Sequence, residues 1–127
     1  MRILIVDDEP SIRRLVARWV ELAGAESVQA GSVAEALALL EHEAVDLAVI
    51  DVGLPDQSGI TLAQAVSERL PQVPIIMATG KADFATATES LRAGAVDYLV
   101  KPLEMDRFVA ALKRGFARRS RAATGQG

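Results

Sequence analysis

Three acidic residues follow short apolar runs that are far apart in the sequence. Asp7 and Asp8 follow the run Ile3–Val6, and Asp51 follows the run Asp46–Ile50. Clustered carboxylates repel one another, and a divalent cation that prefers oxygen ligands relieves that repulsion. If the two runs are neighbouring strands, the three carboxylates predict a Mg²⁺ site.

A hydroxyl and an amine occupy equivalent positions later in the chain. Thr79 follows the run Pro74–Ala78, and Lys101 follows Val96–Val100 and precedes Pro102. A lysine ammonium offers a compact positive charge to a phosphoryl group, and an aspartate can itself be the nucleophile that forms an aspartyl phosphate. The set therefore fits phosphoryl transfer to an aspartate, promoted mainly by positioning and charge neutralisation.

Apolar runs of this kind alternate five times with segments of helical periodicity, and Ser27–Ala30 completes the set of five strand candidates. The apolar faces of the five predicted helices are Ile12, Leu15, Val16 and Trp19; Val33, Ala36, Leu37 and Leu40; Leu62, Ala65, Val66 and Leu70; Phe84, Ala87, Thr88 and Leu91; and Met105, Phe108, Val109 and Leu112. The pattern predicts an α/β fold, a (βα)5 flavodoxin-like three-layer sandwich whose parallel sheet has the order 2-1-3-4-5. In such sheets ligands bind outside the carboxyl ends of the strands.

Several local signals support these element boundaries. Ser32 with Glu35 is typical of a capping box at the start of the second helix. Gly24 and Gly94 stand where glycine commonly ends a helix, and Pro71 stops the third helix. The boundaries therefore agree with the apolar periodicity.

The composition limits the class of protein. The 127 residues suffice for one domain, and half of them are hydrophobic, which excludes a disordered chain. The chain has no cysteine, which excludes disulfides and thiolate metal sites. The longest uncharged stretches, 57–67 and 70–80, are too short to span a membrane, and we expect no signal peptide before the first strand. We expect a cytoplasmic protein.

Charge is distributed unevenly along the chain. Five basic residues and no acidic residue lie from Lys113 onward, whereas the preceding part carries nine basic against seventeen acidic residues. An acidic body argues against nucleic acid as its own partner. We predict a domain over residues 1–118 and a basic, flexible tail or linker stub over 119–127.

Four motifs carry a resemblance to a known family. They are Ile3–Pro10 (ILIVDDEP), Asp51–Pro55 (DVGLP) with Gly59, Ala78–Gly80 (ATG) and Ala93–Pro102 (AGAVDYLVKP). Together they resemble the receiver domain of two-component response regulators over residues 2–117. The segment AGAVDYLVKP and the loop ATGKAD look more like receivers fused to ATPase-type or helix-turn-helix transcription regulators than like chemotaxis receivers.

The resemblance implies a function for the acidic residues. Asp51 would be the phosphoacceptor, taking a phosphoryl group from a histidine of a sensor kinase or a phosphotransfer protein. Asp8, Asp51 and the backbone carbonyl of Gly53 would ligate Mg²⁺, with Asp7 acting mostly through a metal-bound water. The domain would be a signalling switch that assists only its own phosphorylation and dephosphorylation, and not an enzyme in the wider sense.

The resemblance also implies how the switch works. Lys101 would pair with Asp51 and then with phosphoryl oxygens, Thr79 would hydrogen-bond a phosphoryl oxygen, and Tyr98 would turn inward in response. This would alter the face formed by the fourth helix, fifth strand and fifth helix, through which the domain would contact a partner or form a homodimer. A cis peptide bond is expected before Pro102, and Gly80 would leave the approach to Asp51 open.

Two further positions are expected to adjust the lifetime of the phosphoryl group. Similar domains vary at the residue two after the phosphoacceptor and at the residue two after the threonine, which here are Gly53 and Lys81. Gly53 has no side chain to position an attacking water, and Lys81 could reach over the phosphoryl group. We expect this pair to slow self-dephosphorylation.

Two other interpretations of the function remain open. A haloacid-dehalogenase-type phosphohydrolase also uses an aspartate nucleophile, Mg²⁺, a hydroxyl and a lysine, but it requires a second acid where this chain has Gly53 and a cap domain that this length hardly allows. The other interpretation is a receiver-like interaction module that is not phosphorylated.

Two further polar residues are not expected to belong to the site. His42 is expected to face solvent after the second helix, and Asp56 is expected to be structural or solvating. Nucleic acid would be contacted only through an output domain.

Overall fold

The computed structural model describes residues 1–125, with side chains described for residues 1–119. Strands and helices alternate throughout. The elements are β1 (Arg2–Val6), α1 (Pro10–Leu22), β2 (Glu26–Ala30), α2 (Val33–Leu40), β3 (Leu47–Asp51), α3 (Gly59–Arg69), β4 (Ile75–Thr79), α4 (Phe84–Arg92), β5 (Asp97–Val100) and α5 (Met105–Gly125). All five strand predictions are confirmed, with starts that differ by one residue at most.

The five strands form one parallel sheet in the order β2-β1-β3-β4-β5. This confirms the predicted flavodoxin-like fold class. The register brings the strand ends level, because Val6 pairs with Ile50, Asp51 with Ala78 and Thr79 with Val100. The residues that follow β1 and β5 therefore emerge beside the ends of β3 and β4.

The sheet is covered on both faces. Alternate residues of β1 enter different cores, with Ile3 and Ile5 facing α1 and α5, and Leu4 and Val6 facing α2 and α3. On the first of these faces Phe108 is fully buried and its ring lies 5.6 Å from that of Trp19. Burial on both faces explains why β1, β3 and β4 are almost continuously apolar in sequence.

The helix caps follow the local signals in the sequence. The Ser32 hydroxyl accepts a hydrogen bond from the Glu35 amide at 3.1 Å, but the Glu35 carboxylate accepts from the amide of Gly31 and not from that of Ser32. Gly24 and Gly94 have φ values of +85° and +105°, which side chains rarely adopt. The peptide bond between Lys101 and Pro102 is cis, as expected.

The predicted apolar face of α4 is wrong at its two large residues, Phe84 and Leu91, whereas Ala87 and Thr88 are half-buried. Phe84 and Leu91 are 87% and 58% exposed, and the buried side of this helix is formed instead by small residues such as Ser90. Helical periodicity identifies a stripe but cannot tell which stripe faces the sheet when the other side of the helix carries small residues. The same error, on a smaller scale, applies to Leu15 of α1, which is 44% exposed.

The last helix runs further than the sequence pattern indicates. Its backbone remains helical to Gly125, through most of the predicted tail, and residues 126–127 lie outside the described residues. The domain boundary at residue 118 therefore stays a prediction. Within the described part of the chain, no helix combines the length and the apolar character that crossing a membrane requires.

Gly59 is predicted to be intolerant of any side chain. It begins α3 directly beneath the end of β3, where a Cβ atom would lie 1.9 Å from the Asp51 carbonyl oxygen and 3.0 Å from an Ile50 methyl. Because a backbone oxygen cannot move aside cheaply, Gly59→Ala should lower the free energy of unfolding by roughly 2 kcal/mol or more, as overpacking does. Urea unfolding measures this.

Gly80→Ala is the matched control, since a Cβ atom at Gly80 meets nothing within 4 Å. It should change the free energy of unfolding by no more than about 0.5 kcal/mol, because it strains nothing. Equal losses in the two variants would contradict the close approach seen at Gly59.

Candidate functional site

Three carboxylates meet at the carboxyl edge of the sheet. Oxygen atoms of Asp7, Asp8 and Asp51 all lie within 4.8 Å of one another. Asp7 and Asp51 are buried, whereas Asp8 is exposed and leaves the group open to solvent. Carboxylate oxygens at this spacing are the donor set that suits Mg²⁺, which usually keeps several waters beside one or two carboxylates. The residues present therefore fit the predicted metal.

Lys101 joins two of these carboxylates. Its Nζ atom donates to Asp7 at 2.7 Å and to Asp51 at 3.2 Å. The sequence predicted a pair between this lysine and Asp51 only, and the shorter bond to Asp7 was not predicted. The lysine reaches the acids because the Lys101 amide donates to the Thr79 carbonyl at 2.7 Å and so extends the β4–β5 ladder by one residue.

The charges of the group perturb one another. Burial raises the pKa of Asp51 above its ordinary value and the neighbouring Asp7 raises it further, while Lys101 works against both effects. Burial alone would lower the pKa of Lys101, but its hydrogen bond to Asp7 and the charge of Asp51 raise it instead. Lys101 therefore keeps its proton, and the repulsion between the acids is offset only in part.

Thr79 and Tyr98 lie beside this group and are linked through one residue. The buried Thr79 hydroxyl accepts a hydrogen bond from the Lys81 amide at 3.1 Å. The Tyr98 hydroxyl donates to the Lys81 carbonyl at 2.5 Å. The backbone amide and carbonyl of Lys81, in the segment that follows β4, are thus both bonded, one by each of the two side chains that the resemblance implies for the switch.

The loop after Asp51 is fixed from two sides. The Gly53 amide donates to Asp51 Oδ1 at 3.2 Å, and Gly53 also forms an isolated bridge with Ser58. Further along the loop, both Asp56 oxygens accept hydrogen bonds from backbone amides at the start of α2, those of Val33 and Ala34, each at 3.0 Å.

These bonds lower the pKa of Asp56. Asp56 was expected to be structural or solvating, and these bonds give it a structural role. Its partner helix was not foreseeable, because nothing in the sequence connects a loop residue with the amides of a helix 22 to 23 positions earlier.

The remaining candidates fall where they were expected or beside the acidic group. His42 is exposed after the end of α2 and does not belong to the group of three aspartates. Gly80 has open space where a side chain would lie. Arg13 was not identified from the sequence, although its guanidinium donates to the Asp7 carbonyl at 2.6 Å. An arginine on an amphipathic helix carries no signal that distinguishes such a contact from solvent exposure.

Three aspartates, a threonine and a lysine thus lie together at the carboxyl edge of a five-stranded parallel sheet. The family described as the response regulator receiver domain matches residues 3–113. The chain belongs to this receiver family of two-component signalling proteins.

Individual relatives agree with this assignment. The chain is 42% identical over 104 residues to the response regulator protein PilR of Pseudomonas aeruginosa, an alignment that covers 82% of this chain and 23% of PilR. It is 40% identical over 113 residues to the phosphate regulon transcriptional regulatory protein PhoB of the same species, with 87% and 49% covered. The chain therefore spans about a quarter to a half of the length of these relatives.

Solved structures show the same fold. A CheY-like receiver domain protein from Methanospirillum hungatei superposes with a TM-score of 0.90 at 33% identity, covering 95% of this chain and 97% of that one. NtrX from Brucella abortus superposes with a TM-score of 0.92 at 30% identity, covering 98% of this chain and 28% of NtrX.

The raised pKa of Asp51 predicts a pH-dependent cost to stability. A buried acid with a raised pKa binds its proton more tightly in the folded state, so the fold loses stability as the pH rises from the ordinary value of 3.8 through the raised one. In metal-free protein near pH 7, Asp51→Asn should therefore raise the melting temperature by a few degrees. The gain should disappear below the ordinary pKa.

Asp56→Asn is expected to change the melting temperature in the opposite direction. The pKa of Asp56 is lowered by its bonds to the Ala34 and Val33 amides, so its ionised form stabilises the fold above the ordinary value. This variant should melt below wild type near pH 7. Thermal unfolding followed by circular dichroism across pH measures both variants, and a lower melting temperature for Asp51→Asn near pH 7 would contradict the argument.

Proposed function

We propose that this chain is a phosphorylation-controlled switch in which Asp51 accepts a phosphoryl group from a histidine of a sensor kinase or a phosphotransfer protein. One observation carries the proposal: the buried carboxylate of Asp51 lies within 4.8 Å of Asp7 and Asp8 oxygens and 3.2 Å from Lys101 Nζ. A carboxylate held between acids and an amine matches the needs of phosphoryl transfer, which depends mainly on positioning and charge.

The acidic group is proposed to hold Mg²⁺. Asp8, Asp51 and the Gly53 carbonyl would ligate the ion, and Asp7 would act mostly through a metal-bound water. When bound, the ion would supply positive charge that offsets the carboxylates and the phosphoryl oxygens.

Transfer then requires an ionised Asp51. One carboxylate oxygen forms a bond to phosphorus while the bond between phosphorus and the donor's imidazole nitrogen breaks, and the electron pair stays on that nitrogen. Lys101 neither gives nor takes a proton in this step. Its raised pKa keeps it charged, so that it can move from the Asp51 carboxylate to the new phosphoryl oxygens.

The switch is proposed to run through Lys81. A phosphoryl oxygen on Asp51 would accept a hydrogen bond from the Thr79 hydroxyl, and turning Thr79 toward Asp51 would loosen the bond that its hydroxyl oxygen accepts from the Lys81 amide. The Tyr98 hydroxyl donates to the carbonyl of the same lysine. Moving a two-state equilibrium from 1:99 to 99:1 takes about 5.5 kcal/mol of differential stabilisation. Phosphorylation adds a charge of about −1.5 to −2 and new hydrogen-bond acceptors to this partly dry site, beside the charged Lys101.

The face formed by α4, β5 and α5 is the proposed output surface. Phe84, Leu91 and Val100 expose large apolar side chains there, as does Met105. A partner or a second copy of the chain would bind this surface. Since PhoB is described as a transcriptional regulatory protein, we propose transcription control as the output, exerted through a separate output domain.

Phosphorylation itself is tested by mass spectrometry after treatment with acetyl phosphate and Mg²⁺. Wild-type protein should gain the mass of one phosphoryl group, and Asp51→Asn should gain none, because it lacks the nucleophile. Asp56→Asn, a nearby acid outside the group of three, should still be labelled. An unlabelled wild type would favour an interaction module that is not phosphorylated, and sustained turnover of a phosphate ester would favour a phosphohydrolase.

The lifetime of the phosphoryl group is predicted to depend on Lys81. Its backbone is fixed on both sides by Thr79 and Tyr98, so its exposed side chain starts from a defined point beside the site. Loss of phosphoryl from purified protein should be slow, and Lys81→Ala should accelerate it several-fold. Lys113→Ala, an exposed lysine on α5, should not. A half-life of seconds that is unchanged in Lys81→Ala would refute this prediction.

A further inference from the structure

Asp7 is held at each of its polar groups. Its amide donates to the Ala30 carbonyl at 3.1 Å, and its carboxylate accepts from the Glu9 amide at 2.9 Å and from Lys101 at 2.7 Å. The third group is the backbone carbonyl, which accepts from Arg13 Nη1 at 2.6 Å. That carbonyl belongs to the peptide unit that joins Asp7 to Asp8, so its direction sets the plane from which the Asp8 carboxylate projects.

Arg13 has a defined place in which to make this contact. It lies on the second turn of α1, and its guanidinium covers Gly31, where a Cβ atom would lie 3.1 Å from Arg13 Nη1. The Gly31 amide is itself bonded to the Glu35 carboxylate at 2.7 Å. Arg13 therefore spans from α1 to the connection between β2 and α2, and its half-buried side chain contacts the acidic site only through a backbone atom.

We propose that Arg13 is a positioning residue for the metal-binding carboxylate of Asp8. By holding the Asp7 carbonyl, it fixes the peptide unit between the two aspartates and directs the exposed Asp8 toward Asp51. Groups that orient a metal ligand commonly change metal affinity 10-fold to 100-fold when they are removed. This inference rests on the proposed Mg²⁺ site.

Because Arg13 is positively charged, the direction of the change in Mg²⁺ affinity on its removal tests the inference. Removing a positive charge near three carboxylates should strengthen the binding of a cation through electrostatics alone. Losing the bond to the Asp7 carbonyl should weaken it, because Asp8 is no longer directed toward Asp51. A positioning role and a pure charge effect thus predict opposite changes in Mg²⁺ affinity.

The experiment compares Arg13→Gln with Arg14→Gln in the full chain. The two variants lose the same charge at adjacent positions, but Arg14 is exposed. Mg²⁺ titration followed by amide NMR shifts gives the dissociation constants. Arg13→Gln should bind Mg²⁺ about 10-fold more weakly than wild type, whereas Arg14→Gln should bind it equally well or slightly more tightly. In metal-free protein, amide exchange at Glu9, whose amide donates to Asp7 Oδ1, should be faster in Arg13→Gln than in Arg14→Gln.

The outcomes separate this inference from the proposed function. If wild type shows no saturable Mg²⁺ binding, the proposed metal site fails, and the inference fails with it. If wild type binds but Arg13→Gln binds as well as or better than Arg14→Gln, the positioning role is overturned and the metal site stands. Equal exchange rates at Glu9 in the two metal-free variants would also overturn it.

Discussion

The repulsion between the carboxylates at the ends of β1 and β3 is the constraint on which the site depends. Two of the three, those of Asp7 and Asp51, are buried, and the ammonium of Lys101 bonds both. One positive charge cannot balance three acids, so the metal-free site remains short of positive charge. That deficit makes the site receptive to a divalent cation, and it follows from the register of the sheet, which brings the residues after β1 beside Asp51.

Each member of the site reaches its place through backbone pairing. Val6 lies opposite Ile50, so the residues after β1 emerge beside Asp51, and Asp51 lies opposite Ala78, one residue before Thr79. The parallel ladder thus converts four separate sequence segments into one edge. Loop contacts then refine it, with Gly59 packed directly beneath the Asp51 carbonyl and the loop between them tied to the start of α2 by Asp56.

The sequence was most informative about residues whose position is set by the end of a strand or a helix. The strands, the helix ends at Gly24 and Gly94 and the meeting of Asp7, Asp8, Asp51 and Lys101 were predictable. The apolar runs show which residues end each strand, and the flavodoxin-like strand order places those ends together. The exposed stripe of α4 was not, since large apolar residues such as Phe84 suggest burial even when small residues on the other side pack against the sheet. The contacts that the side chains of Arg13 and Asp56 make with backbone groups could not be predicted, because any residue supplies the same carbonyl or amide.

The packing of α4 has a consequence for the proposed switch. Fully burying a side chain such as that of Phe84 or Leu91 contributes about 1.5–3 kcal/mol, and α4 forgoes most of this by keeping both exposed. Its C-terminal end is held by the Ser67 hydroxyl, which donates to the Ala93 carbonyl at 2.7 Å, and its approach from β4 is held by the bond of Tyr98 to the Lys81 carbonyl. A helix with little apolar burial and polar attachments at both ends can shift when one attachment changes, because few packed side chains must rearrange with it. The apolar residues that do not hold α4 in place are therefore available to a partner.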